Sequence, residues 1–275
     1  MKAKNLALRV LVAIFGIPLI LSTIYIGKIP FLILVLVITT VAQYEMYKMI
    51  ELKGAAPLKT IGIITGVLIT LTFYFYGVES LWGVIIAALI FSLLIELFRN
   101  AKNATLNVAA TMWGILYPTT MFSFLILVRQ LPLQYGLPYK SGGLWIIVLI
   151  ITIWICDTAA YFLGSTLGRH KLFERVSPKK TVEGGIAGFL FSLITVYVFY
   201  RIYPDLFSLW TYLAVGVMVG IFSQIGDLVE SIFKRDVEVK DSSAILPGHG
   251  GFMDRFDAPT FLAPMFYYFL VFLIL

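Results

Sequence analysis

Apolar residues fall along this chain in long, nearly unbroken stretches, without the alternation that marks half-buried strands or surface helices. Nine such stretches can be placed, at about 5–27, 29–50, 60–77, 80–98, 105–128, 143–165, 184–203, 207–230 and 258–275. Each is close to the roughly 20 residues that a helix needs to cross a bilayer. The pattern predicts an all-α, polytopic integral membrane bundle of about nine transmembrane helices. Residues 1–140 form an N-terminal region of about five spans, and residues 141–275 form a second transmembrane region. The longest polar insertions, 166–183 and 231–257, lie in that second region and are expected to be loops.

Composition agrees. Of 275 residues, 60% are hydrophobic and 13% charged, with a mean hydropathy of +0.94, against about 25% charged in soluble domains. The start Met1-Lys2-Ala3-Lys4 followed by an apolar run imitates a secretory signal. No small-residue cleavage site follows, so the run is expected to be a retained first span. The single cysteine, Cys156, cannot form an intrachain disulfide. No repeat and no pair of broken helices in matching halves is visible.

Charge fixes an orientation. Threading nine spans alternately places 17 of the 21 Lys and Arg residues on the side of the N-terminus and leaves Lys28, Arg129, Lys140 and Arg201 on the other. The crowded side is cytoplasmic by the positive-inside rule. The N-terminus, 166–183 and 231–257 are therefore expected inside. Most carboxylates gather there too, Glu79 and Asp205 excepted. The net charge of +6 is accounted for by this topology and by attraction to anionic lipid, so nucleic acid is not an expected partner.

Ionisable groups within apolar spans are costly and mark function by default. Asp227 lies on a helical stripe with Gly220, Gln224, Ser231 and Lys234, at spacings of 4, 3, 4 and 3. Interhelical hydrogen bonding would also explain such a stripe. Asp157 shares a face with Tyr161, Gly164 and Gly168. Lys179 and Lys180 can be substrate-binding cations or ordinary positive-inside flanking. The run Pro247-Gly248-His249-Gly250-Gly251 reads as a loop, whose glycines allow backbone amides to close on phosphate. Asp254 and Asp257 stand three apart before the last span. On a helix they would point the same way and could share a hard cation with Asp227. Asp257 also fits an N-cap ahead of Ala258 and Pro259.

The segment SIFKRDVEVKDSSAILPGHGGFMDRFD, Ser231 to Asp257, resembles the signature of the phosphatidate cytidylyltransferases, also called CDP-diacylglycerol synthases, of bacterial type. The stretch from Asp157 to Gly184, with Ser177-Pro178-Lys179-Lys180-Thr181, is similar to the same family, and the residues before 140 carry no comparable signal. The resemblance implies a nucleotidyltransferase of phospholipid biosynthesis in the cytoplasmic membrane, with its active site facing the cytoplasm. It would convert CTP and phosphatidic acid to CDP-diacylglycerol and pyrophosphate with Mg²⁺. A second cation and a homo-oligomer stay open. Because the lipid phosphate is itself the nucleophile, the catalyst must align two polyanions and neutralise charge. On that basis Asp227, Asp254 and Asp257 are expected to bind metal, with Asp157 and Asp241 as further candidates. Asp227, Lys234, Arg235, Asp241, Asp254 and Asp257 are the expected catalytic group. Ser177, Lys179, Lys180, Lys234, Arg235, Lys240, His249, Gly250, Gly251 and Arg255 are expected at phosphate. Two rivals remain: a CTP-dependent kinase of a polyprenol or other lipid alcohol, and a transporter with buried carboxylates.

Overall fold

The computed structural model describes residues 2–243, 245 and 250–274, with side chains given from Ile14 to Leu273 within that range. His249 and Pro247, singled out above, lie outside the described residues. The chain folds as α1 (Lys2–Ile26), α2 (Lys28–Glu51), α3 (Lys59–Tyr76), α4 (Leu81–Arg99), α5 (Ala104–Gln134), α6 (Tyr139–Leu167), α7 (Val182–Ile202), α8 (Leu209–Asp236) and α9 (Met253–Ile274). Helices α2 to α9 are each long and apolar enough to cross a membrane, and Ile14–Ile26 of α1 adds a shorter apolar helix. The protein is a multi-pass membrane bundle, as the apolar pattern indicates.

Packing sorts these helices by role. Helices α6, α7, α8 and α9 pack in succession, and α5 closes the group by contacting both α6 and α9. Val148, Leu149, Val215, Val219, Leu262 and Phe266 fill its centre without exposure. In contrast α4 lies outside, with Trp82, Phe91, Leu97 and Phe98 exposed, as suits a surface bathed in acyl chains. At the α6–α7 crossing the backbones nearly touch. A Cβ on Gly184 would stand 2.9 Å from the Gly164 Cα and 2.7 Å from the Ala160 carbonyl, so only small residues allow this approach.

Two polar devices hold the far side from the charged loops. Arg129, 2% exposed, donates from Nε to the Ile24 carbonyl and from its terminal nitrogens to the carbonyls of Tyr25 and Tyr139. It thereby satisfies acceptors that the end of α1 leaves open, and its guanidinium lies 3.8 Å from the centre of the Tyr139 ring. Ser208 caps α8 by accepting from the Thr211 amide.

Three expectations are corrected. Residues 166–183 are more than a loop: β1 (Lys171–Phe173) and β2 (Ser177–Thr181) pair antiparallel, with Lys171 opposite Thr181 and Phe173 opposite Ser177. Val176, 3% exposed, roots this hairpin, and Thr181 caps α7 by accepting from the Gly184 amide. Second, α8 continues to Asp236. Its 28 residues span about 42 Å, longer than a hydrocarbon core of about 30 Å, and the helix carries Lys234 and Arg235 in its last turn. Third, α9 begins at Met253, which places Asp257 inside the helix and rules it out as the N-cap.

Helix α5 contains one irregularity. Ile115–Met121 is wound as a π-helix between α-helical Ala104–Gly114 and Phe122–Gln134. Pro118 supplies the cause, because its ring has no N–H and crowds the carbonyl four residues back. The hydroxyls of Thr119 and Thr120 donate to the carbonyls five residues earlier, those of Gly114 and Ile115.

Candidate active site

A cavity of about 530 Å³ opens where the end of α6, the hairpin, the start of α7 and the later part of α8 meet. Its polar lining includes Asp157, Tyr161 and Ser165 from α6, Lys171, Lys179, Lys180 and Thr181 from the hairpin, and Gln224 and Asp227 from α8. The Gly164–Gly184 crossing lies in its wall, so the small residues that bring α6 and α7 together also shape the cavity. Lys180 Nζ stands 2.7 Å from Asp227 Oδ2, and Ser231 Oγ donates to Asp227 Oδ1 at 3.3 Å. Gln224 spends its amide nitrogen on the Gly185 and Gly220 carbonyls, which locks its orientation. Lys179 forms no ion pair among the described residues and is free for an anionic ligand.

A second polar layer lies beside the cavity, at the junction of α8, α9 and α2. Lys234 Nζ donates to Glu230 Oε2 at 2.8 Å and to Asp254 Oδ1 at 2.6 Å. The other Asp254 oxygen accepts from the Ser242 amide, the Ser242 hydroxyl and the Gly251 amide at 2.8–3.0 Å. Glu45 reaches the same place from α2. One of its oxygens accepts from the Ser243 hydroxyl at 2.5 Å and the Phe252 amide at 3.0 Å. The other accepts from the Ser242 hydroxyl at 3.0 Å and the Met253 amide at 2.9 Å. Two carboxylates thus tie Ser242 and Ser243 to Gly251–Met253 and receive amides at the start of α9, where the helix dipole favours negative charge. Burial of Glu45 to 1% exposure is tolerable because four donors replace its water.

The residues singled out in the sequence therefore divide. Asp157, Lys179, Lys180 and Asp227 meet in the cavity. Asp257 lies within electrostatic reach of Glu230, Asp227 and Asp157, and Glu230 in turn feels Asp254 and Asp227. Asp254 is committed to Lys234 and the loop. Among the described residues no three acidic, His or Cys side chains stand as a ready-made ligand set, so Asp227, Asp254 and Asp257 are near neighbours without sharing one point. Arg235 donates to the carbonyls of Val176 and Val239, tying the hairpin to α8. Ser177 sits in β2 opposite Phe173. Lys240 and Asp241 are exposed in the 237–252 connection, and Arg255 is exposed on the first turn of α9. Gly250 adopts a left-handed φ of +84° close to the Asp254 carboxylate.

Glu45, Glu230, Lys171 and Gln224 belong to this region and were not picked out as site residues. For Glu45 and Glu230 the available signal was a carboxylate within an apolar span. One oxygen of Glu230 is buried without a hydrogen-bond partner among the described residues, in a side chain 1% exposed. The donor chemistry here, the carboxylate oxygens of Asp157, Asp227 and Asp257 on neighbouring helices, is of the hard type that suits Mg²⁺.

Residues 7–273 match the family model described as "Cytidylyltransferase family". The chain is 33% identical over 266 residues to "Phosphatidate cytidylyltransferase" of Bacillus subtilis (strain 168), covering 95% of this chain and 96% of that protein. It is 44% identical over 133 residues to the protein of the same name from Staphylococcus haemolyticus, covering 48% and 51% of the two chains. It is 45% identical over 127 residues to that of Staphylococcus saprophyticus, covering 46% and 49%.

Proposed function

Because this chain belongs to the cytidylyltransferase family, we propose that its reaction is transfer of the cytidylyl group of CTP to phosphatidic acid, giving CDP-diacylglycerol and pyrophosphate. It is a nucleotidyltransferase of phospholipid biosynthesis embedded in a membrane. The observation that carries the choice of substrates is the cavity at the end of α6, where lysines of the hairpin meet Asp227.

In this reading a phosphate oxygen of phosphatidic acid forms a new bond to the α-phosphorus of CTP, and the bond from that phosphorus to the bridging oxygen of the β-phosphate breaks. Pyrophosphate leaves with the electron pair. The nucleophile is already ionised at neutral pH, so no side chain has to remove a proton. What the protein supplies is alignment and charge. Lys179 and Lys171 meet phosphate directly, and Lys180, now paired with Asp227, would be released to substrate phosphate if Asp227 held a cation. Mg²⁺, held by Asp227 and Asp257 with Glu230 beside them, would offset charge on the phosphates. Asp157 is placed to add to that set from α6. Asp254 and Lys234 hold the 237–252 connection, from which Lys240 and Asp241 act at the rim, with Arg255 on the first turn of α9 beside them. We place this site on the cytoplasmic face of the cytoplasmic membrane, in keeping with the 17-to-4 division of cations and with the supply of CTP.

Purified protein in detergent, given CTP, phosphatidic acid and Mg²⁺, should release pyrophosphate and form CDP-diacylglycerol. Release of CDP with a phosphorylated lipid alcohol would identify a kinase instead. Flux into sealed vesicles without CTP turnover would identify a transporter.

A further inference from the structure

Tyr117 stands in the π-helical stretch of α5, a helix that contributes nothing else to the polar site. Its ring is fixed: it stacks on Trp113 with centroids 5.8 Å apart and planes 6° apart, and meets Phe233 of α8 edge-on at 5.3 Å. Phenylalanine would fill that slot equally well. The hydroxyl is nevertheless present, buried in a residue 5% exposed, and without a hydrogen-bond partner among the described residues. Carboxylates act on it electrostatically, Glu230 first, then Asp257 and Asp227. Glu230 has the complementary defect, since Lys234 occupies Oε2 while Oε1 is buried and unpartnered. A buried donor without a partner and a buried acceptor without a partner thus stand on helices whose side chains touch through Tyr117 and Phe233.

The winding explains the placement. Each residue advances an α-helix by about 100°, so the extra residue of a π-turn rotates the preceding face of α5 relative to the following one. Tyr117 lies within that switch, and such turns are recurrent at functional sites because a small change in winding moves a side chain.

We propose that Tyr117 is a positioning residue of this site: its hydroxyl donates to Glu230 and orients that carboxylate, and with it the Asp227–Asp257 pair, toward the divalent cation. The assignment rests on the metal-dependent cytidylyl transfer proposed above. Lys234 fixes one oxygen of Glu230 and Tyr117 fixes the other, leaving the carboxylate a single orientation from which to support its neighbours.

Tyr117→Phe removes the hydroxyl and keeps the ring contacts. In the full-length protein it should lower turnover at least about tenfold and raise the Mg²⁺ concentration for half-maximal turnover by a similar factor, as loss of a ligand-orienting group does. The KM for CTP should stay within about twofold, and the melting temperature without Mg²⁺ should fall modestly, because the buried Glu230 oxygen loses its donor. Tyr117→Phe combined with Glu230→Gln should be no worse than Glu230→Gln alone. Without nucleotide, the rise in melting temperature produced by Mg²⁺ should shrink in Tyr117→Phe. Unchanged Mg²⁺ dependence in both assays, or a double variant whose defects multiply, overturns the proposal. A wild-type protein that forms no CDP-diacylglycerol but loses its Mg²⁺ thermal response on Tyr117→Phe would remove the reaction proposed above and leave the positioning role standing.

Discussion

Glu45→Gln tests whether a carboxylate from the N-terminal half braces the segment between α8 and α9. The geometry sets the size of the effect. Each Glu45 oxygen accepts from one serine hydroxyl and one backbone amide: Ser243 and Phe252 on one side, Ser242 and Met253 on the other. Glutamine keeps one oxygen and presents an NH₂ in place of the second. A serine hydroxyl facing that NH₂ can rotate and accept from it, whereas the Phe252 or Met253 N–H cannot. One buried backbone donor is therefore left unpaired, at a cost of about 1–3 kcal/mol, whichever way the amide sits. Closure of the 237–252 connection should weaken by that amount, so its open population should rise roughly 5- to 150-fold. Hydrogen exchange of the peptide containing Phe252 and Met253 reads this directly, with CTP turnover followed in the same preparation. Glu45→Ala, which strands all four donors, should be worse in both assays. Exchange and turnover of Glu45→Gln within twofold of wild type would refute the reasoning, because the four bonds would then have no energetic consequence.

Replacing Lys179 and Lys180 together by Gln should lower kcat/KM for CTP at least about tenfold with little change in melting temperature, since both face the cavity and only Lys180 is paired; near-wild-type kinetics would make them topological flanking. Arg129→Met should lower thermal stability in detergent by about 1.5–3 kcal/mol or more, through carbonyls of Ile24, Tyr25 and Tyr139 left bare, with KM for CTP unchanged. Cysteines introduced at exposed Lys240 and Asp205 should label from opposite faces of intact cells, with buried Cys156 silent; labelling from one face would break the orientation.

Much of the fold was legible because it depends on local composition. A run of about 20 apolar residues must become a helix in a bilayer, where no water satisfies the backbone. The nine apolar runs accordingly reappear as α1 to α9. The stripe from Gly220 to Lys234 was equally legible, since helical period alone puts its members on one face, and Asp227, Ser231 and Lys234 all make polar contacts at the site. The hairpin was not, because its strands are short and polar, and its stability comes from Val176 and from Arg235 on another helix. Nor could helical period say that α9 starts before Asp257, because the amides at its start are received by Glu45, some 207 positions away in sequence.

What the sequence by itself determined is the class of protein, the helical spans and the family, because hydropathy, helical period and a motif of fixed spacing are properties of neighbouring residues. Only the tertiary structure decided which carboxylates are partners. Asp254 is drawn to Lys234 and the loop, Asp227 to Lys180, and Glu230 is left with an oxygen that has no hydrogen-bond partner among the described residues. These outcomes depend on how α2, α5, α8 and α9 pack together, and a buried charge is stabilised by whichever donors that packing brings within about 3 Å, wherever they lie in the chain.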